Sequence, residues 1–276
     1  MIKANYHTHT YLCKHAIGTV EDYVQKAVSL GFSELGMSDH GSNDLEYFKK
    51  EGIFPDYTVS RMFLYQLPDY IAAVNEAKEK YRDVIRIYRG LECEYFPEDD
   101  GFTKMLRDQL EYMVLGVHFY KYKGKAADTF AGLNSENVEG YFETAIAAME
   151  TGYFRILAHP DLFMLRYQGL NGYRKMDSLT EAGSRRMIEC AIRNGIALEV
   201  NCQGINATEK FGVTEGYAYP TKEFFTLLKE YPEAEVVIGA DAHFPDLMGS
   251  DCVTKAEEFC RELGIRTVKD NLLKII

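Results

Sequence analysis

The amino-acid sequence predicts an α/β fold in which about seven parallel strands, each followed by a helix or a long loop, close or nearly close into a barrel. Three observations point there. Strand-like and helix-like patterns alternate about seven times along 276 residues, with no change of composition regime. The strand segments are short and continuously apolar, as expected when both faces of a sheet are buried. Six of the seven histidines fall at or just past the C-terminal ends of those strands, and the seventh, His15, lies in the loop after the first. In a barrel these ends share one face, where active sites are built.

The first strand is read over 2–5 and runs into Tyr6-His7-Thr8-His9-Thr10. Residues two apart on a strand point to one face, so His7 and His9 project side by side and can chelate one divalent metal. Thr19 is a plausible N-cap, with Glu21 and Asp22 in the first turn of a helix that Gly31 closes. A second strand over 34–38 ends at Asp39-His40. Residues 41–66 read as a long mixed loop holding Tyr47, Phe48, Phe54, Tyr57, Phe63 and Tyr65. A loop of that length is usually a lid or a binding segment. A helix over 67–81 leads to a third strand at 84–88, which runs into Gly90-Leu91-Glu92-Cys93-Glu94. After a short helix at 102–109, a fourth strand at 112–117 ends at His118. A glycine-bearing loop then reaches Ser135, the expected N-cap of a helix ending at Met149. A fifth strand at 154–158 ends at His159-Pro160-Asp161, before a loop over 162–176 that carries Arg166, Arg174 and Lys175. A helix over 177–194 is closed by Gly195. Strand six, 196–200, ends at Asn201. A helix over 220–231 starts on proline, strand seven at 235–239 ends at Asp241-Ala242-His243, and a last helix covers 248–263.

This length fits an α/β barrel read as one domain, 1–276. Hydrophobic residues make up 46%, enough for a sizeable core. No apolar run reaches the ~18 residues of a membrane span, and no secretory signal is seen at the start. The six cysteines form no Cys-x-x-Cys pair and read as reduced thiols of a cytoplasmic protein. A net charge of −11 argues against nucleic acid as a partner, and suits a site that gathers cations.

Asp39, Glu92, Glu94, Asp161, Glu199 and Asp241 join the histidines at the same strand ends. Imidazole mixed with carboxylate suits Zn, Mn or Fe, and the ligands exceed what one metal needs, so two to three divalent ions are expected. Glu92 and Glu94 share a strand face, and either can reach the site.

His7-Thr8-His9, His40 after a strand, Gly90-Leu91-Glu92, His118, His159-Pro160 and Asp241-Ala242-His243 occur in one order along nearly the whole chain. Together they resemble the PHP (polymerase and histidinol phosphatase) family, most closely its histidinol-phosphate phosphatase branch. The resemblance implies a distorted (β/α)7 TIM-like barrel with a trinuclear metal site. It places one metal on His7, His9, Glu92 and Asp241. It places a second on Glu92, His118 and His159, and a third on His15, His40 and His243. The Gly-x-Glu match favours Glu92 over Glu94 as the bridging carboxylate. The activity implied is hydrolysis of L-histidinol phosphate in histidine biosynthesis. A PHP phosphoesterase acting on another small phosphorylated metabolite or a nucleotide, or a non-catalytic metal module, are the other readings.

Hydrolysis of a phosphate monoester needs large charge stabilisation, which clustered metals provide. Asp241, His243 or a metal-bound water are candidates for protonating the leaving alkoxide. Arg166 is the first candidate for the phosphate oxygens, with Arg174 and Lys175 behind it. Asn201 is a candidate to orient substrate or a ligand. Asp161 is placed to meet a substrate amine, and the 41–66 aromatics to enclose its imidazole ring.

Overall fold

A computed structural model describes residues 2–42, 44–52 and 60–273. Seven parallel strands stand side by side in chain order: Ala4–Asn5, Glu34–Met37, Arg86–Cys93, Tyr112–Leu115, Ile156–Leu157, Ala197–Asn201 and Val236–Gly239. The sheet curls into a nearly closed, distorted TIM-like barrel with helices outside. The seam between first and last strands is short. Thr8 bridges Ala242, the His9 N–H donates to the Ala242 carbonyl at 2.9 Å, and the Ala242 N–H donates to the His7 carbonyl at 3.2 Å. The Asn5 side chain adds a bond from the Ala240 N–H, 2.8 Å. Extended backbone past Asn5 therefore carries both histidines of the His-x-His motif to the seam.

Most elements lie where the apolar periodicity put them. Thr19 caps the helix Val20–Ser29 in a reciprocal box with Asp22, and Asp177 caps Ser178–Arg193. Several stretches differ, among them 162–176, where Leu162–Arg166 is a 3-10 helix and Tyr167–Gly169 pairs with Gly172–Tyr173. The third strand continues to Cys93, because Arg89, which breaks the apolar run, donates outward to the Gln109 carbonyl and Asn75 Oδ1. Within 41–66, expected to be loop, Leu45–Glu51 is a helix. Asp44 accepts from the N–H groups of Glu46 and Tyr47, and Gly52 ends it with φ 76°. Residues 119–134 are no plain loop either. Phe119–Tyr122 and Lys125–Asp128 form a hairpin, turned at Lys123 and Gly124 with φ 50° and 75°, the positive angles of the turn that matches strand twist. The following helix, Val138–Met149, is capped at Asn137 rather than Ser135. Among the described residues no helix is long and apolar enough to cross a membrane.

The main core lies between the barrel and its helices. A second cluster fills the barrel below the site, built on Tyr6, Tyr88, Tyr112, Val114 and Ile156, with Leu272 and Leu273 closing it. Tyr112 fits because two neighbours lack side chains. A Cβ on Gly36 would stand 2.1 Å from its hydroxyl oxygen, and one on Gly90 would stand 2.4 Å from its ring. Its hydroxyl donates to the Tyr6 carbonyl at 2.8 Å, so the ring has little freedom to retreat. Gly90→Ala is accordingly expected to cost about 3 kcal/mol, the upper part of the range for overpacked cores. A urea midpoint equal to that of the unchanged protein would show that the tyrosine moves aside.

Candidate metal centre

Glu92 is the centre of the site. It lies near the end of the third strand, 1% exposed, and its two oxygens are ringed by five imidazoles. Oε2 is 2.9 Å from His40 Nδ1, 3.5 Å from His7 Nε2 and 3.7 Å from His9 Nε2. Oε1 is 3.2 Å from His159 Nε2 and 3.5 Å from His118 Nε2. A Cβ on Gly116 would come within 2.6 Å of Glu92 Oε1, so that glycine leaves room for the carboxylate. Asp241 faces Glu92 across the seam, with Oδ1 2.9 Å from His9 Nε2, 3.6 Å from His7 Nε2 and 3.4 Å from His243 Nδ1. His15 closes the ring, its Nε2 2.9 Å from His243 Nε2. All nine residues expected to hold metal are thus gathered on one face.

A second layer aims the first. Glu199 accepts from His7 Nδ1 at 2.7 Å and from the His159 N–H at 3.1 Å. Glu94 does the same for His118 Nδ1, 2.7 Å, and pairs with the buried Arg61. It is therefore the partner of a histidine, while Glu92 occupies the centre. Asp39 takes the Thr10 hydroxyl and N–H and lies 3.8 Å from His9 Nδ1. Asn201 bridges carboxylates, donating to Glu199 Oε2 at 2.8 Å and Asp241 Oδ2 at 3.1 Å, and its carbonyl caps the short helix Cys202–Asn206. It orients acids of the site and does not line the cleft.

The field of this cluster favours cations. Burial opposes charge on His7, yet Glu199, Asp241 and Glu92 outweigh it and raise its pKa well above the usual value. His9 is likewise lifted to about 9 against burial, by Asp241 and Asp39. Burial and the charge on His9 push His40 down and His243 to about 3, leaving neutral rings in ligating form. Burial resists ionisation of Glu92, but the histidines around it hold its pKa well below the carboxylate range.

The chain's residues fit a divalent metal cluster. His7 Nε2, both ring nitrogens of His9, His40 Nδ1, His159 Nδ1 and Glu92 Oε2 are buried without a hydrogen bond. Buried polar atoms are nearly always bonded, so such a concentration marks atoms shaped for another partner. Compact ligand groups include His7, His9 and Asp241, then His40, Glu92 and His118, and also His9, His40 and His243. Sequence reasoning missed Cys13, whose buried sulfur lies within 4.8 Å of ligand atoms of His15 and His243. Its place two residues before His15 was the only available signal.

The family model of the PHP domain matches residues 5–203. The chain belongs to the PHP family. A probable histidinol-phosphatase of Deinococcus radiodurans is 27% identical over 271 residues, covering 95% of this chain and 94% of the relative. One from Schizosaccharomyces pombe is 26% identical over 88% of this chain and 81% of its own. Two solved structures share the fold, each with a TM-score of 0.68. The putative histidinol phosphatase of Listeria monocytogenes is 22% identical and covers 91% of this chain and 99% of its own. The histidinol phosphate phosphatase of Lactococcus lactis, solved with zinc, L-histidinol and phosphate, is 17% identical and covers 96% and 95%.

A cleft of about 240 Å³ opens above this PHP centre, lined by His15, His40, His118, His159, Asp241 and His243 below. Among the described residues its Arg and Lys are Arg61 and Lys210, not the expected Arg166. Arg166 turns to the Tyr173 hydroxyl, 3.4 Å, and lies over the Phe211 ring. Arg174 is used structurally, donating to the Tyr217 carbonyl at 2.7 Å, and Lys175 is exposed. Asp161 is not aimed at a substrate amine. It is buried, accepts from the Thr221 N–H at 2.5 Å, and burial raises its pKa to about 6. Nor, among the described residues, do the expected aromatics line the cleft. Tyr47 and Phe48 pack with Phe96 and Phe119 in a separate cluster. Phe63 stacks on Tyr65, and Phe54 and Tyr57 lie outside the described residues. Among the described residues the Phe and Tyr rings on the cleft are Phe130, Phe211 and Tyr219, from stretches that the sequence marked only as loop or helix start.

Proposed function

We propose that this PHP protein hydrolyses L-histidinol phosphate to L-histidinol and phosphate in histidine biosynthesis, as a single domain over 1–276 with two to three Zn, Mn or Fe ions. The observation that carries the reading is the buried Glu92 carboxylate set among five imidazoles, three of which, His40, His118 and His159, line a cleft sized for a small ester. Curated relatives matched over nearly their whole length and named histidinol-phosphatase support the substrate. Divalent ions held by these residues would supply a water activated near neutral pH and charge for the phosphoryl oxygens. The chain's own groups do the rest. Glu199, Glu94 and Asn201 hold the ring and carboxylate orientations. Arg61 and Lys210 offer positive charge to the ester at the cleft wall. Asp241 and His243, which line the cleft, are the chain's groups assigned to proton exchange with the leaving oxygen. Six cysteines without a disulfide support a cytoplasmic setting.

A panel of phosphorylated metabolites tests the substrate. The kcat/KM for L-histidinol phosphate is expected to exceed that for a plain alkyl phosphate by at least ~10³-fold, about 4 kcal/mol of transition-state binding. Comparable values would leave phosphomonoester hydrolysis standing and remove the histidine-pathway assignment in favour of another small metabolite.

A further inference from the structure

The cleft above the metal centre has one wall that the chemistry of phosphate does not use. His118, Phe130 and Phe211 form a nearly parallel series of rings. The centroids of His118 and Phe130 are 6.0 Å apart at 15°, and those of Phe130 and Phe211 are 6.3 Å apart at 17°. The two phenylalanines are half-buried, which leaves ring surface facing the cleft. Their buried sides rest on an apolar base of Leu162, Leu165, Ala218 and Tyr219.

Backbone bonds fix the placement of each ring. The Thr129 N–H donates to the His118 carbonyl at 2.9 Å, and its hydroxyl donates to the Val117 carbonyl at 2.8 Å. The Phe130 N–H is taken by Asp128 Oδ1 at 2.7 Å. Phe130 is thereby tied to the turn that carries a metal-centre histidine. On the other side, the Phe211 N–H donates to the Ala207 carbonyl at 3.0 Å, just past the helix that Asn201 caps. That helix presents Gln203 to the same cleft, with its Oε1 held by Asn206 at 3.0 Å.

We propose that Phe130 and Phe211 are the specificity-determining residues for the leaving group, forming a shelf on which a planar imidazole stacks beside the amide of Gln203. The inference rests on the function proposed above and names the part of the site that reads the ring. A metal centre grips the phosphate of any monoester, so discrimination comes from what surrounds the alcohol. Aromatic faces prefer an offset-stacked planar partner to an aliphatic chain, and gain further when that partner carries positive charge, as a protonated imidazole does. The hydrogen bonds of Thr129, Phe130 and Phe211 hold the shelf without substrate, which lowers the ordering cost of binding.

The test compares L-histidinol phosphate with 2-aminopropyl phosphate, which keeps phosphate and amine and lacks the ring. Phe130→Leu and Phe211→Leu retain apolar bulk and remove the stacking face. Each is expected to lower kcat/KM for L-histidinol phosphate ~10-fold, mainly through KM, while the ringless ester changes less than ~2-fold. Phe130→Tyr is expected to retain the wild-type ratio. A second readout needs no turnover. The imidazole proton resonances of L-histidinol should shift upfield on binding, and that shift should shrink in both leucine variants. If the unchanged protein prefers the ring-bearing ester and the variants keep that preference, the shelf is overturned and the proposed function stands. Equal losses on both esters also overturn the shelf, since the rings would then serve the metal centre. If the unchanged protein shows no preference for the ring-bearing ester, the proposed function fails and this inference falls with it.

Discussion

Stripping divalent ions with a strong chelator is expected to reduce phosphate-ester hydrolysis to background, and adding back Zn, Mn or Fe is expected to restore it. The reason is electrostatic. Glu92, Asp241, Glu199 and Asp39 concentrate negative charge among buried histidines, and six ligand-type atoms there have no hydrogen bond. Such a site is strained without cations and satisfied with them. Loading should therefore also raise stability. A ligand at 100 times its Kd contributes about 2.7 kcal/mol, which for a chain of this size moves Tm by on the order of 5–10 °C. Elemental analysis of the purified protein should give two to three transition-metal ions per chain. Absence of bound metal, with neither activity nor Tm responding to added ions, would end the metal-centre reading.

Glu92→Gln is expected to lower turnover by at least ~100-fold, the loss seen when a central charge-stabilising group is removed. An amide is close in size but lacks the charge, and its NH2 would point at imidazole nitrogens that need an acceptor or a cation. Glu94→Gln should be milder. It weakens the bond that orients His118 and the pairing with Arg61, so its expected cost is ~10-fold or somewhat more in metal affinity. Measured kcat and metal stoichiometry separate the two variants. Greater damage from Glu94→Gln would move the bridging role two residues along the strand.

Much of this arrangement was legible in the sequence, for reasons that differ residue by residue. Parallel strands buried on both faces leave continuous apolar runs, so the barrel and its order could be read. Histidines cluster at the strand ends, and alternation along a strand placed His7 and His9 together. What failed was everything set by distant partners. Arg166 looked available because nothing local showed that it would face Tyr173 and Phe211. Arg61 sat in a stretch without a clear pattern, and only the fold brings it against Glu94. The 41–66 aromatics satisfied a compositional expectation, but Tyr47 and Phe48 were claimed by Phe96 and Phe119. Phe130 and Phe211, 81 residues apart by their numbers (211 − 130), gave no sign of sharing one wall.

The seam of the barrel has a consequence for the order of events in the cell. His7 and His9 leave the ribosome well before Asp241, which follows His7 by 234 residues (241 − 7). The bridge between Thr8 and Ala242 forms only when the seventh strand has arrived. An ion captured by the early histidines would be shared with solvent until then, and tight capture is postponed to the last step of assembly. Filling of the site that His7 and His9 share with Asp241 thus reports that the sheet has been completed. A chain halted before the seventh strand would display His7 and His9 without the Asp241 carboxylate that completes their ligand group.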